Sequence, residues 1–168
     1  PQAEVEGLMD IFSVAVEVQA ESLHEKNVKI VHVGKTRNLS SELKKSVSAA
    51  EKLTSNNTGV TLNVAFDYGG RAEIVSAVRE ILAKGAEPTA VTEEAIRAHL
   101  FLPDVPDPDL IVRTAGEMRL SNFLLWQAAY AEYYATPVLW PDFDEEELVG
   151  ALTAFSQRKR RYGRVAAE

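Results

Sequence analysis

Arg113-Thr114-Ala115-Gly116-Glu117-Met118-Arg119-Leu120-Ser121 is the stretch of this chain best equipped for chemistry. It leaves a short apolar run at 109–112 and leads into a segment predicted to be a helix, capped by Ser121 and running to about Tyr134. It offers two guanidinium groups, two hydroxyls, a flexible Ala-Gly pair and the free amides of a new helix. Those are the parts of a phosphate site: planar charged forks beside backbone donors at the positive end of a dipole. A plainer reading fits the same residues. Ser121 would only cap its helix, and the arginines would be solvated or paired to Glu117.

A second turn, Asp67-Tyr68-Gly69-Gly70-Arg71, also follows a predicted strand and precedes a helix. Its double glycine permits a close approach of backbone or phosphate. Its spacing matches neither a dinucleotide fingerprint nor a P-loop. Glu132 is predicted three turns along the Ser121 helix, where an exposed glutamate is commoner than a metal ligand. His24, His32 and His99 have no ligand spacing. No nucleophile-base triad is visible.

The elements that must position these residues follow from periodicity. Residues 4–24 read as a long helix, with Val5, Leu8, Met9, Phe12 and Val16 on one face and Ile11, Val14, Ala15 and Val18 on another. So broad an apolar surface requires cover on more than one side, as a core helix or as the wall of an apolar cavity. Strands are predicted at 28–33, 60–66, 109–112 and 138–140, and further helices at 40–54, 74–82 and from Thr92. The last helix follows Asp144, with Glu145, Glu146 and Glu147 in its first turn and Arg158 to Arg161 in its last. Alternating strands and helices imply a layered α/β fold with a largely parallel sheet. In such sheets ligands bind beyond the carboxyl ends of the strands, which selects both turns.

Length and composition bound the function. A chain of 168 residues suggests one domain over 1–168. A net charge of −7 argues against a nucleic-acid footprint. The absence of cysteine excludes disulfides, thiol catalysis and thiolate metal sites. No apolar run approaches the roughly 18 residues of a membrane span. Pro1-Gln2-Ala3-Glu4 lacks the basic start of a signal peptide.

The 113–127 stretch, through Asn122-Phe123-Leu124-Leu125-Trp126-Gln127, closely resembles the signature of cis-prenyltransferases, the undecaprenyl diphosphate synthase family. The resemblance continues through Ala129-Tyr130-Ala131-Glu132, Val138-Leu139-Trp140-Pro141-Asp142-Phe143 and Arg160-Arg161-Tyr162-Gly163. Upstream it includes Glu4 to Met9, Asn57 to Ala65 and Tyr68-Gly69-Gly70-Arg71. It implies a Z-type prenyl diphosphate synthase, which condenses isopentenyl diphosphate onto an allylic diphosphate and releases pyrophosphate. Arg113, Arg119 and Ser121 would grip the diphosphate of isopentenyl diphosphate, with Glu117 and Leu120 in the same substrate site and Glu117 orienting the arginines. Glu132 would help hold magnesium. Leu8, Ile11, Phe12 and Val60 would line the tunnel for the growing chain. Arg161 and Gly163 would reach a diphosphate across a homodimer. The implied setting is cytoplasmic, with a peripheral membrane contact for product release.

Three departures stand out. Ala115 replaces a common glycine, a change expected to cost little. Met118 replaces a histidine found in some members, and Asp67 a common asparagine. The family's opening strand, its Asp-Gly-Asn-Gly-Arg-type loop for the allylic diphosphate and a following strand have no counterpart here. The chain therefore reads as the C-terminal portion of the pattern, with the catalytic aspartate loop expected elsewhere and the isolated chain expected to be inactive. A non-catalytic partner subunit of a heteromeric synthase is the alternative. Retention of Arg113, Arg119 and Ser121 argues for the enzyme.

Overall fold

The computed structural model describes residues 2–159, without the side chains of 2–6, 8–10 and 13. The chain divides into two compact units, Pro1–Leu102 and Pro103–Glu168.

The first unit runs α1 (Gln2–Glu25), β1 (Lys29–Val33), α2 (Ser41–Thr54), β2 (Thr61–Ala65), α3 (Gly70–Ala83) and α4 (Glu93–Arg97). β1 and β2 pair in parallel, with Lys29 opposite Thr61 and Val33 opposite Ala65. α2 starts where Ser40 caps it, its hydroxyl accepting from the Leu43 amide at 3.1 Å. Leu43, Val47, Ala50 and Thr54 fall on one face of α2 and are buried. Leu39, Leu43 and Val47 form the core cluster, and Phe12 and Phe66 pack against it, their rings stacked with centroids 4.3 Å apart. The outer edge of β1 is closed by α2: the Ile30 amide donates to Thr54 Oγ1 at 3.0 Å and the His32 amide to Glu51 Oε1 at 2.8 Å. Gly34 follows β1 at φ +137°, where a Cβ would collide with the Phe66 carbonyl, so the close crossing requires glycine.

The second unit contains β3 (Leu110–Arg113), β4 (Glu132–Ala135) and α5 (Glu145–Ser156). β3 and β4 are parallel, Leu110 opposite Glu132 and Arg113 opposite Ala135. Asp144 caps α5 through the Glu147 amide at 3.1 Å.

Most predicted elements are present within a residue or two, and the fold is α/β with parallel strands. Three expectations are corrected. The helix expected from Ser121 to about Tyr134 does not form; a 3₁₀ turn at Gln127–Tyr130 and strand β4 occupy that stretch. Ser121, Asn122 and Leu124 have φ of +49°, +63° and +45°, a backbone no helix can propagate through. The strand expected at 138–140 is likewise absent, since Trp140–Asp142 is a 3₁₀ turn led by Pro141. Finally, α5 ends at Ser156, so Arg158 lies beyond its last turn rather than in it.

Candidate functional site

β3 delivers Arg113 at its C-terminal end, and the chain turns at once. Ala115 and Gly116 take left-handed φ values of +57° and +67°. Their amides donate to the carbonyls of Val138 and Thr136, each at 2.8 Å, and the Glu117 amide donates to Thr114 at 3.2 Å. The amides of Ala115, Gly116 and Glu117 are therefore committed to the fold. No helix N-terminus follows, so the dipole contribution expected there is absent as well.

What the turn does present is a cluster of side chains. Glu117 lies between the two arginines, with Oε2 2.5 Å from Arg119 Nε and 3.8 Å from Arg113 Nη2. Its Oε1 accepts from Arg119 Nη2 at 2.6 Å, which makes a two-point contact with the guanidinium fork. Arg113 is largely covered and Arg119 is 72% exposed. Arg113 Nε is buried without an acceptor among the described residues. A buried N–H in that state favours an incoming anionic oxygen.

A pocket of about 280 Å³ adjoins this cluster, lined by Arg113, Glu117, Met118, Leu120, Tyr133, Tyr134 and Ala135. One end is charged and the remaining walls are mostly apolar. That combination suits a small anionic ester with a short hydrocarbon part. The structure thus brings together Arg113, Glu117, Arg119 and Leu120 at one turn. Ser121 follows in an exposed left-handed position, outside the pocket lining. Tyr133 was missed, although paired tyrosines between Glu132 and Ala135 are a β-favouring signal.

Glu132 lies at the start of β4, not on a helix, and its Oε2 accepts from Arg158 Nη1 at 2.8 Å. Among the described residues no group of three or more His, Asp or Glu could hold a metal ion.

The tunnel residues separate. Phe12 is partly buried and packs on Phe66 against the core cluster. Ile11 and Val60 are 68% and 72% exposed. Leu8's side chain, Arg161 and Gly163 lie outside the described residues.

The Asp67–Arg71 turn is built differently. Tyr68 Oη donates to Glu73 Oε2 at 2.5 Å, and the Phe101 amide donates to Glu73 Oε1 at 2.9 Å. Glu73 is 1% exposed. Gly69 precedes α3 at the N-cap position and supplies no side-chain cap. The role of Glu73 as a knot depends on Phe101, 28 residues away in sequence.

The prenyltransferase family model for undecaprenyl diphosphate synthase matches residues 1–163. The isoprenyl transferase of Neisseria gonorrhoeae is 45% identical over 168 residues, covering 100% of this chain and 67% of that protein. The Escherichia coli ditrans,polycis-undecaprenyl-diphosphate synthase, (2E,6E)-farnesyl-diphosphate specific, is 46% identical over 167 residues, 97% of this chain and 66% of that protein. The chain thus spans about two thirds of the length of these curated relatives. Among solved structures, lavandulyl diphosphate synthase from Lavandula x intermedia, in complex with dimethylallyl diphosphate, superposes with a TM-score of 0.93 at 35% identity, over 98% of this chain and 73% of that one. A probable undecaprenyl diphosphate synthase from Campylobacter jejuni gives 0.89 at 29% identity, over 98% and 76%.

Proposed function

This chain belongs to the undecaprenyl diphosphate synthase family of prenyltransferases, and from that premise we propose that it carries the isopentenyl diphosphate site of a Z-type prenyl diphosphate synthase. The carrying observation is the convergence of Arg113 and Arg119 on Glu117 at the mouth of a pocket with apolar walls. Residues 1–168 form one cis-prenyltransferase domain on this reading, since the family match runs through both compact units.

The chemistry asked of these residues is electrostatic. Arg113 and Arg119 bind and orient the extending unit's diphosphate, exchanging their hold on Glu117 for phosphate oxygens of higher charge. Ser121 adds a hydroxyl at the rim. Leu120 and the tyrosine-lined wall exclude water from the alkene. Its carbon attacks the allylic carbon as the C–O bond to the departing pyrophosphate breaks with its electron pair. A proton is then lost from the extending unit. No covalent enzyme intermediate is required, and none of the residues of this chain is assigned as a general base. The exposed Ile11 and Val60, with Leu8 and Phe12, are proposed to face the growing hydrocarbon.

Magnesium is implied by the family's diphosphate chemistry. The described residues do not fit a self-contained site for it, because the one proposed carboxylate, Glu132, already has a cationic partner. Arg161 and Gly163 retain their proposed role across a homodimer. No helix among the described residues is long and apolar enough to cross a membrane. A cytoplasmic setting with peripheral membrane contact remains part of the proposal. Retention of both arginines in one cluster favours the enzyme over a non-catalytic subunit.

The test is a chimera joining this chain to the N-terminal part of the Escherichia coli synthase. With magnesium, farnesyl diphosphate and radiolabelled isopentenyl diphosphate it should extend the primer. Arg119→Ala should raise the KM for isopentenyl diphosphate by about tenfold or more while the thermal melt is retained, since truncating one arm of a charged clamp costs about 2–5 kcal/mol. A folded chimera with unchanged KM and turnover in Arg119→Ala would overturn the assignment.

A further inference from the structure

Glu132 begins β4 and Arg158 follows the C-terminal end of α5, an element that packs against β4. The two side chains are 26 residues apart in sequence and meet at 2.8 Å, Arg158 Nη1 donating to Glu132 Oε2. Both are partly covered, at 37% and 30% exposure, so the contact is more than a fully solvated pair. The donor set disagrees with a metal-ligand role for Glu132. Its carboxylate charge is matched by a guanidinium, and a divalent ion placed there would face Arg158 as a like charge. We infer that Arg158 is the resident cation of Glu132. The pair is a clasp that ties the start of β4 to the stretch just after α5 and fixes where Arg158 leaves that helix. The clasp stands apart from the prenyltransferase reading and is tested without turnover.

The experiment uses the full chain and two readouts. Glu132→Gln and Arg158→Gln should each lower the melting temperature by about 1–3 °C, the range of a partly exposed ion pair. The double variant should melt no lower than either single one, and the swap E132R with R158E should recover most of the loss. Arg158→Lys, which keeps the charge, should lose less than Arg158→Gln. In parallel, Mn²⁺ is titrated calorimetrically in the presence of inorganic pyrophosphate. Glu132→Gln should leave the Mn²⁺ affinity within about twofold of the parent, and Arg158→Gln should not tighten it. Additive melting losses would overturn the clasp. So would a loss of about tenfold or more in Mn²⁺ affinity in Glu132→Gln, which would make Glu132 a metal ligand after all.

Discussion

The two strand exits of this chain resemble one another in sequence and differ in construction. After β2, Asp67-Tyr68-Gly69-Gly70-Arg71 enters α3 directly, and a buried carboxylate, Glu73, knots the turn to Tyr68 and to the Phe101 amide. After β3, Arg113 to Ser121 enters no helix. It is held by backbone bonds to Thr136 and Val138, and its carboxylate, Glu117, stands among arginines near the surface. The first turn uses its acid for stability. The second keeps its charges where a ligand can compete for them. A strand followed by glycine and a polar residue therefore does not imply a helix dipole at the site; at the second turn the charge sits on the side chains of Arg113, Glu117 and Arg119.

The largest expected effect breaks the first turn. Glu73→Ala leaves the Tyr68 hydroxyl and the Phe101 amide without this acceptor in a buried place, at a cost of about 3 kcal/mol in stability. Urea unfolding of the purified chain measures it. A loss below about 1 kcal/mol would show the knot to be incidental.

A smaller effect sharpens the account of the second turn. Ala115 was expected to replace glycine at little cost, but its φ of +57° places an L residue in the left-handed region. Ala115→Gly should therefore stabilise the chain by about 1 kcal/mol, less the entropy that glycine adds to the unfolded state. A melt shifted downward would contradict this backbone description.

The smallest effect shows what a helix start does to an acid, the influence absent at the second turn. Glu42, in the first turn of α2, is held below the ordinary glutamate range by a hydrogen bond from its own backbone amide and then by the Ser41 hydroxyl. Because the folded pKa is depressed, its contribution to stability is present above the unfolded value and is lost as pH falls through the folded one. An NMR titration of the Glu42 carboxyl should find it acid-shifted, and Ser41→Ala should relax the shift only in part. An unshifted midpoint would contradict the local geometry.

The elements readable from the sequence were those whose signals agree. In α2, the Ser40 cap and the burial of Leu43, Val47 and Ala50 point the same way. In α5, Asp144 and three glutamates mark the start. The 121–134 stretch was unreadable because its local signals mislead. Ser121 resembles a cap and Phe123 to Trp126 resemble a helix face, yet the backbone turns left-handed at Ser121, Asn122 and Leu124. The arginine pair was visible from residue type alone. The burial of Glu73, the commitment of the Ala115 and Gly116 amides and the partnership of Glu132 with Arg158 were not, because each depends on residues distant in sequence.

The central claim is that guanidinium groups, not backbone amides, supply the anion affinity of the Arg113–Ser121 turn. Isothermal titration of isopentenyl diphosphate into the chain and into Arg113→Ala, Arg119→Ala and the double variant tests it most directly. The account predicts that each single change weakens binding by about tenfold or more and that the double change abolishes it, with melting temperatures near the parent's. Binding that survives the double variant within about twofold would contradict it and return the site to the backbone.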